Sequence, residues 1–259
     1  MKTDLAGEII DGFSGEPYPK RKTGRLFGLA TEEIVIETGE DARRVGKPRG
    51  RYYTLEVESV TALTADPDRD VRALSDILAR FLPPSGTVFV AGIGNAALTS
   101  DSLGVRSLDR LLTGSYGARR LCALSTGVCG KTGFEPPALI SSAIKAISPS
   151  IVVLTDALTA EKIVRVGKTV QITNAGLWPG SGVGNARFEL SEKTLGVPVV
   201  ALGLPTVVPF EDEESGQTLT VSPGDIDAVV ERAARIFSLA IDLAVFPELG
   251  LPLIKELVF

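Results

Sequence analysis

The stretch Thr87-Val88-Phe89-Val90-Ala91-Gly92-Ile93-Gly94-Asn95-Ala96-Ala97-Leu98-Thr99-Ser100-Asp101 passes from an unbroken apolar run into glycines and then polar residues. An apolar run without alternation predicts a strand buried on both faces. Two more runs share this character, Ser150-Ile151-Val152-Val153-Leu154-Thr155 and Val197-Pro198-Val199-Val200-Ala201-Leu202-Gly203. Helical patterns separate them. Residues 68–82 set Val71, Leu74, Ile77, Leu78 and Phe81 on one stripe and stop at Pro83-Pro84. Residues 136–147 and 225–244 predict two further helices, the second followed by an apolar tail, 245–259. Buried strands alternating with helices predict an α/β fold with a mainly parallel central sheet flanked by helices. Upstream, residues 33–38 and 52–60 alternate. In the second stretch Tyr53, Leu55, Val57 and Ser59 face one way and Thr54, Glu56 and Glu58 the other, as in a half-exposed strand.

A length of 259 residues suits one domain. We read 1–60 as N-terminal strands and loops, 61–210 as the core bearing the candidate site, and 211–259 as a C-terminal helix and tail. Residues 211–217 form a polar, acidic loop. The chain contains no histidine, which excludes a Ser-His-Asp triad, a Cys-His dyad and an HExxH zinc site. Its 27 basic against 32 acidic residues argue against direct nucleic-acid binding. No apolar run approaches the length of a membrane span, and Met1-Lys2-Thr3-Asp4 lacks a signal-peptide core, so a cytoplasmic protein is expected. Cys122 and Cys129 have no metal-ligand spacing and read as free thiols. No cofactor and no metal set is expected.

Several short motifs fail on context. Gly92-Ile93-Gly94-Asn95-Ala96-Ala97 fits a dinucleotide fingerprint, yet no strand-end acid follows about twenty residues on. Gly127-Val128-Cys129-Gly130-Lys131-Thr132 ends like a phosphate loop, but Ser125 stands where its first glycine belongs. Ser142-Ala143-Ile144-Lys145 reads as a solvated helix face. Cys129 lies in a glycine-rich loop without a histidine to activate it.

In open α/β sheets function gathers at the carboxyl ends of the strands. Asp101 follows the first buried run and Asp156 the second. If those strands are neighbours the carboxylates converge, cannot both ionise easily, and share a proton. One can then activate water while the other acts as acid. From these residues alone the plainer reading of each is a helix N-cap.

Read together, several stretches resemble the germination protease family of spore-forming bacteria. They include Thr3-Asp4-Leu5-Ala6-Gly7-Glu8, Arg51-Tyr52-Tyr53-Thr54-Leu55-Glu56-Val57, Thr99-Ser100-Asp101-Ser102-Leu103-Gly104 and Thr155-Asp156-Ala157-Leu158. The longest are Gln171-Ile172-Thr173-Asn174-Ala175-Gly176-Leu177-Trp178-Pro179-Gly180-Ser181-Gly182-Val183-Gly184-Asn185 and residues 195–208. The resemblance implies a fold like that of the hydrogenase maturation peptidases. It implies an endopeptidase that degrades small acid-soluble spore proteins at germination, made as a zymogen and assembled as a tetramer in the spore core. The family's two essential aspartates fall on Asp101 and Asp156. The chain is shorter than typical members, matches poorly after residue 210, and carries Cys129 where a methionine is expected. Residues 3–8 themselves resemble the site such proteases cut, which points to self-cleavage between Asp4 and Leu5.

The expected chemistry is therefore water activation between Asp101 and Asp156. Backbone N–H groups around Gly180, Gly182 and Gly184 are expected to hold the oxyanion, with Asn185 orienting a carboxylate. A metal-dependent peptidase of the maturation type and a non-catalytic ligand binder on the same sheet are the alternatives.

Overall fold

The computed structural model describes residues 3–12, 19–58, 60, 66–179, 188–211 and 218–258. The chain enters through α1 (Ala6–Asp11) and a hairpin of β1 (Lys20–Leu26) and β2 (Leu29–Ile36). Phe27 and Gly28 join the two strands, both at positive φ, as a two-residue hairpin turn requires. α2 (Gly39–Val45) begins at a capping box between Thr38 and Asp41 and ends at Gly46 in the left-handed region. After β3 (Gly50–Glu56), α3 (Pro67–Ala79) starts with Pro67 in its first turn and Asp66 as N-cap. Tighter i to i+3 bonds then carry the chain on to Leu82.

The central units follow: β4 (Gly86–Ile93), the short α4 (Leu103–Arg106), a hairpin of β5 (Gly114–Tyr116) and β6 (Arg119–Gly127), then α5 (Cys129–Thr132) and α6 (Pro136–Ile147). β7 (Ile151–Thr159), β8 (Thr169–Thr173), α7 (Glu192–Leu195), β9 (Val199–Glu211) and β10 (Thr218–Val221) complete the sheet. α8 (Ile226–Val245) and α9 (Gly250–Val258) close the chain, so part of the expected apolar tail is helical.

The strands run in the order β1-β2-β3-β8-β9-β7-β4-β6-β5, with β10 paired to β9. The centre, β9-β7-β4-β6, is parallel as expected. Every other pairing is antiparallel, so the sheet as a whole is mixed. The crossover helices α3 and α6 return the chain to the same end of the sheet, the tight turns of β1-β2 and β5-β6 reverse it, and β8 runs antiparallel to β9 across a longer connection that carries α7.

Alternation within the apolar runs supplies both faces. Val88 and Val90 meet α3 and α8 on one side, while Phe89 and Ala91 meet α6 on the other. Leu251 and Ile254 of α9 join the first cluster. The half-exposed strand expected over 52–60 is different in fact. Its regular part ends at Glu56, and Tyr52, Tyr53, Thr54 and Leu55 are all buried. The second face is not solvated because Ala6 and Ile10 of α1 pack with Ile34, Ile36 and Tyr52. Among the described residues no helix is long and apolar enough to cross a membrane.

Candidate active site

β4 and β7 are parallel neighbours, with Gly92 opposite Thr155. Their carboxyl ends bring Asp101 and Asp156 to one cleft of about 670 Å³, which Asp4, Cys129, Pro179 and Leu219 also line.

Asp101 is placed by glycine. After Ile93 the chain turns at Gly94, φ 118°, and returns through a short 3-10 turn over Thr99–Asp101. A Cβ on Gly94 would lie 2.0 Å from the Asp101 carbonyl oxygen, so a side chain there would push Asp101 away. The Asn95 N–H closes the loop, donating to the Asp101 carbonyl at 3.0 Å and to its Oδ2 at 2.9 Å. A Cβ on Gly104 would lie 2.2 Å from the Thr155 carbonyl oxygen. That contact seats α4 directly on the ends of β4 and β7, and the Thr155 hydroxyl donates to the Gly104 carbonyl at 2.9 Å. The glycines that resembled a dinucleotide fingerprint thus serve to position a carboxylate. β9 contributes from the other side. Its register slips between Leu158↔Pro205 and Thr159↔Val207, which accommodates a proline that has no N–H to give. Next to the slip, the Thr206 hydroxyl donates to the Ser100 carbonyl at 2.5 Å.

Asp156 stands opposite Gly203 of β9 and is 5% exposed. It accepts the Ala157 N–H at 2.9 Å. Burial pushes its carboxyl well above the usual range, and the charges of Asp101 and Asp4 push it further. Asp101 is half-buried. Burial raises it too, opposed by the Asn95 N–H. The environments differ in degree: Asp156 is the more buried of the two and has like charges beside it, so its neutral form is favoured more strongly.

Asp4 is a third carboxylate at this place. Its N–H donates to the Thr159 carbonyl at 2.8 Å and its Oδ2 accepts the Thr159 N–H at 2.9 Å, which lays residues 3–5 along the end of β7. Leu5 is buried with Leu158, Ala160 and Val166. Glu8 accepts the N–H groups of Glu161 (2.7 Å) and Lys162 (3.0 Å). The Asp4 carbonyl accepts Lys47 Nζ at 3.0 Å and Gln171 Nε2 at 3.1 Å.

Of the residues expected from sequence, the fold brings Asp101, Asp156 and Asp4 to one cleft, with Leu5 buried beside it. Gly180, Gly182, Gly184 and Asn185 lie outside the described residues, although Pro179 and Phe188 on either side line the cleft. Ser142 sits on α6 and donates to the Ala138 carbonyl, as a helix-face serine does. Sequence reasoning missed Thr206, Lys47 and Gln171. A glutamine inside the buried strand Thr169-Val170-Gln171-Ile172-Thr173 was the available signal, because a buried amide requires partners. Lys47, in a polar segment, carried none. Among the described residues no three His, Cys, Asp or Glu groups are placed to hold a metal ion.

The sequence model described as germination protease matches residues 22–212. The germination protease of Clostridium acetobutylicum is 35% identical over 256 residues, covering 90% of this chain and 75% of that protein. That of Clostridium perfringens is 35% identical over 234 residues, covering 80% of this chain and 70% of the relative. For Priestia megaterium the figures are 35% over 238 residues, 80% and 63%. Among solved structures, the [NiFe] hydrogenase maturation protease HycI from Thermococcus kodakarensis KOD1 aligns with a TM-score of 0.43 at 21% identity, over 65% of this chain and 98% of that one. The chain belongs to the germination protease family of peptidases.

Proposed function

We propose that the chain is an endopeptidase in which Asp101 and Asp156 activate water against a peptide carbonyl. The observation carrying this reading is the arrival of two strand-end carboxylates in one cleft, one buried enough to keep its proton. In a chain without histidine, carboxylates are the natural holders of both acid and base roles.

Asp101, the more exposed member, serves as the base and takes a proton from water as the water oxygen bonds to the carbonyl carbon. Asp156 gives its proton to the amide nitrogen as the C–N bond breaks. One proton passing from Asp101 to Asp156 restores the pair. One water is consumed, and one carboxyl and one amine are released. The segment 180–185, flanked by the cleft-lining Pro179 and Phe188, is our candidate for contacts to the substrate backbone.

The substrates we propose are small acid-soluble spore proteins, cut during germination in the spore core by a homo-oligomer. Family membership supports this assignment. The bond between Asp4 and Leu5 is our candidate for self-cleavage, supported by the position of Asp4 in the same cleft.

The test is cleavage of a peptide carrying Thr-Glu-Phe-Ala-Ser-Glu by wild type, Asp101→Asn and Asp156→Asn, with and without EDTA, read by mass spectrometry. Cleavage by wild type alone, indifferent to EDTA, is the expected result. Cleavage surviving in both variants would sink the assignment, and loss in EDTA would move the chemistry to a metal.

A further inference from the structure

We infer that Lys47 and Gln171 are catalytic residues for self-cleavage: they hold the carbonyl oxygen of the Asp4–Leu5 bond and stabilise the charge that develops on it. The inference rests on the reading above, that the chain is a peptidase acting through Asp101 and Asp156.

The bond is gripped on both sides. Gln171 Nε2 donates to the Asp4 carbonyl at 3.1 Å while its Oε1 accepts the Ala6 N–H at 2.8 Å, so one amide clamps the backbone across the bond and its orientation is set. The Leu5 N–H donates to Thr3 Oγ1 at 3.0 Å, and the Leu5 side chain is buried. The Asp4 N–H is paired with Thr159. A single neutral donor satisfies a buried carbonyl. Here a half-buried ammonium, Lys47 Nζ at 3.0 Å, is added to it. A cation and an amide N–H on one carbonyl oxygen match what a tetrahedral oxyanion needs, in a place where water is scarce and their effect is enlarged.

The sheet puts Gln171 in register with the acid. Gln171 of β8 is paired with Gly203 of β9, and Gly203 with Asp156 of β7, so all three belong to one row across the sheet. Two strand spacings separate the ends of that row by roughly 10 Å. Asp4 is bonded to Gln171 through its backbone and shares the cleft with Asp156, which its charge raises. In the step proposed, a water oxygen bonds to the Asp4 carbonyl carbon and its proton goes to Asp101. Charge gathers on the oxygen held by Lys47 and Gln171. The bond to Leu5 breaks as its nitrogen takes the Asp156 proton, leaving a carboxyl on Asp4 and a free amine on Leu5.

The experiment follows intact mass of the purified full chain over time, scoring the species that begins at Leu5, with the external peptide in a parallel tube. Wild type, Lys47→Met, Lys47→Arg and Gln171→Glu are compared, and thermal unfolding is recorded for each. Gln171→Glu keeps the acceptor for Ala6 and removes the donor to Asp4. We expect Lys47→Met and Gln171→Glu to slow trimming about 10²-fold, and Lys47→Arg to retain most of the rate. Trimming at the wild-type rate in Lys47→Met, or slowing in Lys47→Arg as deep as in Lys47→Met, would overturn the inference and leave Lys47 a structural anchor. A wild type that cuts the peptide but never trims would overturn it while leaving the peptidase reading intact. A wild type that does neither would overturn both.

Discussion

Two buried carboxyl groups in this protein have raised pKa values and opposite meanings. Asp156 lies within β7, three residues before its end, and lines a cleft that also holds Asp101 and Asp4. Asp242 lies inside α8, fully buried, where it accepts the Leu112 N–H at 3.1 Å and its Oδ2 has no partner among the described residues. Burial, opposed by the Leu112 N–H, pushes Asp242 up to about 7. Asp156 is raised by burial together with like charges, which is what makes a proton shareable. A perturbed pKa therefore does not mark a site by itself. Company and access to a cleft do.

The strongest break in this comparison comes from removing the charge at each place. Asp156→Asn and Asp101→Asn should each lower peptide cleavage by about 10³-fold or more with unfolding temperature preserved, whereas Asp242→Asn should leave kcat within about threefold. Comparable losses at all three positions would erase the distinction. Next in size, Gly94→Ala puts a methyl where the Asp101 carbonyl oxygen stands. It should cost about 10²-fold in kcat, because displacing a reacting group by about an ångström has that scale of effect. Crystallography of the variant would check the displacement.

Asp242 supplies a stability prediction. Its folded-state pKa of about 7 lies above the ordinary carboxylate value, so the native state binds more protons than the unfolded one in between. Stability contributed by the neutral acid is fully present below about pH 4 and is lost as pH rises toward 7, on the order of 4 kcal/mol in total. Asp242→Asn should therefore raise the unfolding temperature more at pH 8 than at pH 5. An equal change at both pH values would show that Asp242 is not protonated in the native state. The smallest effect sharpens the other side. Asp4→Asn removes one of the charges that raise Asp156, so the alkaline limb of the pH–rate profile for an external peptide should move to lower pH by a few tenths. A limb that stays put would remove Asp4 from the cluster.

The parallel centre and its strand ends were legible because their signals are local. An unbroken apolar run such as 87–92 reports burial on both faces wherever it sits, and helix 136–147 was readable from its period and its prolines, matching α6 residue for residue. Asp101 could be named because it follows the end of β4, whereas Asp156, read as following the apolar run 150–155, lies inside β7, which continues to Thr159. The antiparallel flank was less legible. The alternation of 52–58 announces a one-sided strand, and nothing nearby in sequence says that α1, more than forty residues earlier, covers its other face.

Asp4, Lys47 and Gln171 mark the same boundary within the site. The glycines at 92 and 94 act through contacts within a single strand-turn-helix unit, whereas Gly104 also seats that unit on Thr155 of β7. Bringing an amine from residue 47 and an amide from residue 171 each within 3.1 Å of the carbonyl oxygen of residue 4 takes the register of the whole sheet. Sequence determines which backbone conformations and which faces a segment can present. Only the packed structure decides which distant polar groups must answer each other, because a buried carbonyl finds its partners after the core has excluded water.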